Sequence, residues 1–288
     1  MNTIDLHTHS NASDGTCSPT RVVEIALQKG LRAVALTDHD TVQGIDEALA
    51  AANAFGNQIQ VIPGTELSVA YKKGDIHIVG LFINHHNSGF QKMTSLLIQR
   101  RQERNEKMAA NLQKAGIPIT VEDLTKDNPE TVVTRAHFAR FLVEKQIVPS
   151  VQDAFRKYLD TSTPYYVPRE YIQPEEGISL IRHAGGVPVL AHPLHYNLAP
   201  NELEALIRRL VKAGLMGIEV MYSNHSTQDE FYARSLAKKY GLMPSGGSDF
   251  HGSNKPAIDI GTGRGNLRIP YSYLETLAAS CNFSLQSL

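Results

Sequence analysis

Cysteine is nearly absent from this 288-residue chain. Cys17 and Cys281 are far apart, and they imply no disulfide framework. There is no run of about 18 apolar residues of the kind that spans a bilayer. The chain reaches Asp5 without a basic stretch followed by an apolar one, so it does not open as a signal peptide would. The expectation from these absences is a cytoplasmic protein with no membrane partner and no evident obligate protein partner. An excess of basic charge is lacking as well. The formal net charge of -1 argues against a general electrostatic nucleic-acid binder, which would carry a basic face. A small anionic substrate stays open, because bound cations supply local positive charge. No internal repeat or low-complexity tract interrupts the chain.

Histidine and carboxylate clusters are what the chain does have. His7 and His9 fall in Ile4-Asp5-Leu6-His7-Thr8-His9, and Asp14 in Ser13-Asp14-Gly15. His39 lies in Thr37-Asp38-His39-Asp40, Glu66 in Pro63-Gly64-Thr65-Glu66, and His77 in Asp75-Ile76-His77-Ile78. His192 stands in Ala191-His192-Pro193, and Asp249 and His251 in Gly247-Ser248-Asp249-Phe250-His251. Imidazole and carboxylate without thiolate suit Zn, Mn or Fe(II). Nine such donors exceed what one ion takes and indicate a multinuclear centre, of the kind that clamps the oxygens of a phosphoryl displacement.

Short apolar runs alternate with amphipathic helices. Strands are expected at 4–6, 33–37 and 60–63, with helices at 19–29 and 44–55 and a hairpin over 69–82 that turns at Lys72-Lys73-Gly74-Asp75. From Met93 to about Pro168 the pattern is helical without strands, and the alternation then resumes to Ser245. This reads as a β/α barrel-like domain over 1–96 and 169–288, with a helical insertion, or cap, over 97–168. Every cluster falls at or just after a strand end except Asp14, in a loop, and His77, in the hairpin. The C-terminal face of such barrels carries the active site.

The motifs together resemble the PHP family, named for polymerase and histidinol phosphatase domains. His7-Thr8-His9 fits its first motif and Thr37-Asp38-His39 its second. Glu66 and His77 fit the middle, and His192 with Asp249-x-His251 the last. The resemblance implies a distorted (β/α)7 barrel of the α/β class holding two to three divalent ions, manganese foremost with zinc or iron as alternatives. By it, His7, His9, Glu66 and Asp249 hold one ion, Asp14, His39 and His251 a second, and His77 and His192 a third, with Glu66 bridging. A hydroxide bridging the metals is then the nucleophile, and no side-chain nucleophile is needed.

The helical insertion and motif pattern are most similar to the 3',5'-nucleoside bisphosphate phosphatases. The resemblance implies removal of the 3'-phosphate from adenosine 3',5'-bisphosphate to give AMP. The alternatives are a 5'-to-3' exonuclease on short RNA or DNA oligonucleotides, a histidinol phosphatase, and a non-catalytic PHP module that serves structure or nucleic-acid binding. Substrate contacts are expected from Arg135, Ala136 and His137 at a helix start in the insertion, where a guanidinium fork and helix amides suit phosphate. His195 is expected as a contact or proton donor, and Ser223, Asn224 and His225 as contacts after a strand. Asp38 and Asp40 are expected either to support the imidazoles or to be solvated, with Asp5 a weaker candidate for the same support. Arg100, Arg101, Arg104 and Lys107 interleave with Glu103 and Glu106 and read as a solvated helix face.

Overall fold

The computed structural model describes residues 3–72, 74–126 and 128–285, so Lys73 of the expected turn lies outside the described residues. Strands and helices alternate from the start: β1 (Thr3–Thr8), α1 (Pro19–Gln28), β2 (Ala33–Leu36), α2 (Ile45–Ala54) and β3 (Gln60–Tyr71), after which β4 (Gly74–Leu81) turns back. Helices α3 (Ser88–Lys114), α4 (Val121–Thr125), α5 (Arg135–Glu144) and α6 (Val151–Ala154) follow, with a π-helical turn at Phe155–Leu159. The alternation resumes through α7 (Pro174–His183), β5 (Val187–Leu190), α8 (Pro200–Ala213), β6 (Gly217–Tyr222), α9 (Thr227–Tyr240), β7 (Met243–Gly247), β8 (Ile269–Pro270) and α10 (Tyr271–Ala279). No described helix is long and apolar enough to cross a membrane.

Local chemistry sets these boundaries. Ser18 caps α1 by accepting from the Arg21 amide at 3.2 Å, Pro19 fills the first turn, and Gly30 ends it at φ 71°. Val22, Val23 and Ala26 form its buried stripe. Strands such as Ala33–Leu36 and Val187–Leu190 are buried along their whole length, because helices cover the sheet.

The described strands form one sheet in the order β7-β6-β5-β4-β3-β2-β1-β8. Its ends curl toward each other. Thr8 bridges Phe250, the His9 amide donates to the Phe250 carbonyl at 2.9 Å, and the Asp249 amide donates to the His7 carbonyl at 2.8 Å. The result is a nearly closed, distorted barrel. The distortion is β4, which runs antiparallel to both β3 and β5.

Three expected elements change on folding. β3 is one twelve-residue strand rather than a short strand followed by a hairpin arm. It pairs with β2 through Pro63 and with β4 from Gly64, so Glu66 sits within the strand just past this change of partner. The long helix begins at Ser88, where Asn87 caps it by accepting from the Phe90 amide. Within the expected run of helices, the one that starts after Ser150 loosens into the π turn after Ala154. The strand-free segment has an apolar cluster of its own, including Met108, Leu112, Ile119, Phe138, Leu142 and Leu159. The barrel core is separate and includes Ile4, Ile62, Ile78, Val189 and Ile218.

Closure of the barrel leaves no room at Gly247, where an added Cβ would lie 2.1 Å from the His7 Cβ and 2.6 Å from its amide nitrogen. Gly247→Ala is expected to destabilise the protein by about 1–3 kcal/mol or more, through overpacking against backbone. Gly74→Ala meets nothing within 4 Å and is the control. Urea unfolding of the two variants checks this, and equal midpoints would contradict it.

Candidate metal centre

Glu66 stands at the middle of the site. Its Oε1 lies 2.8 Å from His77 Nδ1 and 2.9 Å from His192 Nε2. Its Oε2 lies 3.2 Å from each of His7 Nε2, His9 Nε2 and His39 Nδ1. Five imidazoles therefore converge on one buried carboxylate. Alternation along β1 turns His7 and His9 to the same side. The crossing from β2 to Glu66 is held by the Asp40 amide, which donates to the Glu66 carbonyl at 3.0 Å. Three site positions take positive φ without being glycine, Asp40 at 55°, His192 at 28° and Asp249 at 57°. Such backbone costs about 1–3 kcal/mol at each position and persists where the surroundings fix it.

The donor atoms fall into overlapping groups within 4.8 Å of one another. One is His7, His9, Glu66 and Asp249, another His9, Asp14, His39 and His251, and a third His39, Glu66 and His77. His192 joins the last through Glu66 Oε1. All nine residues expected from the sequence are thus brought together.

The chemistry of these atoms fits divalent cations. His7 Nδ1 lies 2.9 Å from Glu219 Oε1, and His251 Nδ1 2.9 Å from the Asp249 carbonyl. Each ring thus keeps an N–H on its outer nitrogen and turns an Nε2 lone pair inward. Among the described residues, buried His9 Nδ1 and His192 Nδ1 have no hydrogen-bond partner. His7 and His9 approach to 3.1 Å between Nε2 atoms. Burial acts against charge on His77, but Glu66 and Asp75 outweigh it and hold its pKa up at about 10. Burial and the neighbouring His251 drive His9 well below the ordinary value. Burial opposes ionisation of Glu66, and the imidazoles of His77, His7 and His39 overcome it and hold its pKa well below the usual range. The cluster asks for positive charge in places where a proton on every ring does not fit, and shared cations meet both conditions.

Buried carboxylates hold the donors in place. Asp38 accepts from the Ser10 amide at 2.8 Å, Ser10 Oγ at 2.7 Å and Ser13 Oγ at 2.6 Å, fixing the loop that carries Asp14. Asp5 accepts from the amides of His7, Ser248 and Gly261. Asp40 pairs with Arg101 and, at 2.8 Å, with Arg169. The solvated alternative for Asp38 and Asp40 is therefore corrected, since both are buried, and Asp5 braces backbone rather than an imidazole.

The donors open into two clefts that share His39, His77, Gln152, Asn254 and Lys255. Arg135 and Ala136 line the first, together with Arg101, Arg104 and Arg169. His195 and Asn224 line the second, with Arg264 donating to Asn224 Oδ1 at 2.8 Å. Three expected contacts turn elsewhere. His137 closes a capping box on α5, its Nδ1 accepting from the Thr134 amide at 3.1 Å. Ser223 Oγ donates to the Ser248 carbonyl, and His225 packs on Tyr222 with Nδ1 3.1 Å from the Val220 carbonyl. Their backbone needs consumed these side chains. The solvated reading of the α3 face also fails for Arg101 and Arg104, which are each only 6% exposed. The helix lies against the barrel mouth, so one of its charged faces is buried.

Sequence reasoning missed Glu219, Tyr222, Lys255 and Arg169. Glu219 Oε2 accepts from the His192 amide at 2.6 Å while Oε1 holds His7. Tyr222 OH donates to Asp249 Oδ2 at 2.8 Å, and Lys255 Nζ lies 2.6 Å from the same oxygen. Glu219 had a signal, as the one acid inside Gly217-Ile218-Glu219-Val220-Met221, since a carboxylate in a buried strand needs a partner. Lys255 and Arg169 sit in irregular segments with no periodicity to mark them.

The PHP domain family matches residues 5–167. The chain is 38% identical over 263 residues, 91% of either chain, to a 3',5'-nucleoside bisphosphate phosphatase of Chromobacterium violaceum. It is 36% identical over 257 residues, 89% of this chain and 87% of the relative, to the 5'-3' exoribonuclease Rnm of Escherichia coli. A solved amidohydrolase from Chromobacterium violaceum, with sulfate bound and no metal, covers 96% of both chains at TM-score 0.86 and 37% identity.

Because Glu66 reaches two groups of donors, Glu66→Gln should lower bound metal by more than one class of site. His77→Asn should empty one class at most. Elemental analysis of manganese-reconstituted protein checks this. Equal metal content and equal residual activity in the two variants would contradict the bridging role.

Proposed function

The chain belongs to the PHP domain family, and on that premise we propose that it is a phosphohydrolase that removes the 3'-phosphate from nucleoside 3',5'-bisphosphates, adenosine 3',5'-bisphosphate giving AMP. A metal-dependent phosphoesterase is the activity of the family's similar members. The finer reading rests on one observation. The donor cluster opens directly onto a cleft walled by Arg101, Arg104, Arg135 and Arg169, so a second anionic group has a place beside the reacting one.

In this reading His7, His9, Asp14, His39, Glu66, His77, His192, Asp249 and His251 hold two to three divalent ions, manganese foremost. When bound, such ions supply Lewis-acid polarisation of a phosphoryl oxygen and an acidified water. The residues of the chain do the rest. Glu219 and the Asp249 carbonyl keep His7 and His251 in the tautomer whose Nε2 faces inward. Lys255, beside Asp249 and shared by both clefts, orients the scissile phosphate. His195 stands at the mouth of the second cleft near the His192 ring. Burial and that ring keep its pKa below the ordinary value, and it offers a ring N–H to the departing oxygen. Arg135, whose guanidinium carbon lies 5.8 Å from the Phe155 ring and 5.7 Å from the Tyr166 ring, reaches the non-reacting 5'-phosphate.

A second reading, 5'-to-3' exonuclease on short oligonucleotides, is favoured by the second cleft. It continues past the donors along Asn224, Pro256, Ile258 and Arg264, where a following nucleotide would lie.

The test is phosphate release by manganese-loaded protein from adenosine 3',5'-bisphosphate, compared with mononucleotide release from 5'-phosphorylated oligonucleotides. A higher kcat/KM on the bisphosphate is expected, and a higher value on oligonucleotides would replace this reading by the second. Arg135→Ala should lower kcat/KM for the bisphosphate about ten- to hundred-fold, the worth of a charge-assisted bond. The loss on adenosine 3'-monophosphate should be far smaller. Equal losses would show that Arg135 does not read the 5'-phosphate.

A further inference from the structure

His85 and His86 take no part in the central cluster. They lie in the turn between β4 and α3, and Asp46 faces them from the first turn of α2. His85 Nε2 lies 2.9 Å and His86 Nε2 3.5 Å from the same oxygen, Asp46 Oδ1. The two rings are 4.1 Å apart between centroids. Among the described residues, this is the one group of three such donors, all within 4.8 Å of one another, that includes no residue of the centre. None of the three lines either cleft. The turn holds the rings firmly. The Asn84 amide donates to the Ala184 carbonyl at 2.8 Å, the His86 amide to Asn84 Oδ1 at 3.1 Å and the Asn87 amide to the Asn84 carbonyl at 2.9 Å. Gln91 Nε2 donates to the His85 carbonyl at 3.0 Å. Successive side chains of an extended chain point to opposite faces, whereas this turn sets two successive imidazoles on one side.

A surface ion pair accounts for one ring, and such pairs contribute little. It gives no reason for a second Nε2 turned toward the same oxygen. Two imidazole nitrogens and a carboxylate are a donor set that suits zinc, nickel or copper(II). Donors bound to a tetrahedral zinc at about 2.1 Å stand about 3.4 Å apart. His86 and Asp46 are at 3.5 Å already. His85 and Asp46, at 2.9 Å, reach that spacing by opening about 0.5 Å. We propose that Asp46, His85 and His86 form an accessory site for one divalent ion of this class, zinc foremost, separate from the central cluster. Each ring binds through Nε2 and carries its proton on Nδ1. Asp46 and His86 are exposed, so water completes the coordination. The ion fastens the start of α2, which follows the loop carrying His39, to the turn that begins α3. Manganese stands lowest in the order of affinity for such donors, so this site selects zinc from a mixture of the two.

The test is elemental analysis of the full chain, loaded with manganese, equilibrated with about micromolar zinc and then desalted. Total metal per chain should fall by about one ion in Asp46→Asn and in His86→Ala, the loss expected when a three-donor site is broken. Glu202→Gln, which removes a surface acid paired with Lys72, should keep the wild-type content. The same difference of one ion should persist between Glu66→Gln and Glu66→Gln with His86→Ala, where the central cluster is already impaired. Thermal unfolding gives a second readout. Adding zinc to the manganese-loaded protein should raise the Tm of wild type by more than that of His86→Ala, because an ion bound only to the folded state stabilises it. Both variants are on the surface and should release phosphate with manganese alone as wild type does. Equal metal content in wild type, Asp46→Asn and His86→Ala overturns the proposal. So does an additional ion that appears only at about millimolar zinc, which marks adventitious binding by surface imidazoles.

Discussion

The buried carboxylate of Glu66 organises this protein. Two oxygens serve five imidazoles, from β1, from β4 and from the segments that follow β2 and β5, at 2.8–3.2 Å. A neutral imidazole engages one ion through one nitrogen, whereas a carboxylate offers two oxygens, so only an acid can occupy the junction. Its location follows from the sheet. β3 outlasts its parallel partner and continues beside an antiparallel one, which carries Glu66 past the rim of the barrel into the space that β1, β2, β5 and β7 surround. The distortion of the barrel and the position of its central acid are one feature.

Around that acid lies a layer of buried carboxylates with no direct claim on the substrate. Asp5 gathers three backbone amides, Asp38 gathers the loop before Asp14, and Glu219 holds both the His7 ring and the His192 amide. Each is buried and each is satisfied, which is the condition for retaining a charge in a core. The helical segment takes part too. Thr134 Oγ1 donates to Asp14 Oδ2 at 2.9 Å, Thr131 to the Ser13 carbonyl at 2.6 Å, and the Val132 amide to the Ala12 carbonyl at 3.0 Å. The donors of the first loop are therefore positioned partly by residues more than a hundred positions later.

Much of this was legible in the sequence, because inward-facing donors at strand ends leave short local signatures. His7-Thr8-His9 has the spacing of one strand face, and Asp249-Phe250-His251 repeats it at the other edge. The alternation of short apolar runs with amphipathic helices disclosed the barrel. What stayed hidden depends on contacts between distant segments. The solvated appearance of Arg101 and Arg104 came from counting charges along α3, and burial of one face is decided by what the helix leans on. Ser223 and His225 sat at the right end of β6, yet their own neighbourhood claimed their polar atoms. Glu219 shows locally only as an acid in an apolar strand, and its two partners, His7 and His192, come from distant segments.

Asp40 has a consequence for motion. Arg101 lies on the helix that enters the strand-free segment and Arg169 on the stretch that leaves it, and both end on the same carboxylate. Burial favours its neutral form, but Arg169 and Arg101 outweigh this and hold its pKa below the usual range. Entry and exit of the segment thus meet at one carboxylate, while Thr131, Val132 and Thr134 tie its middle to the loop that carries Asp14. The segment is held at its ends and at its centre, so any shift of it is felt at both Asp14 and the residue beside His39.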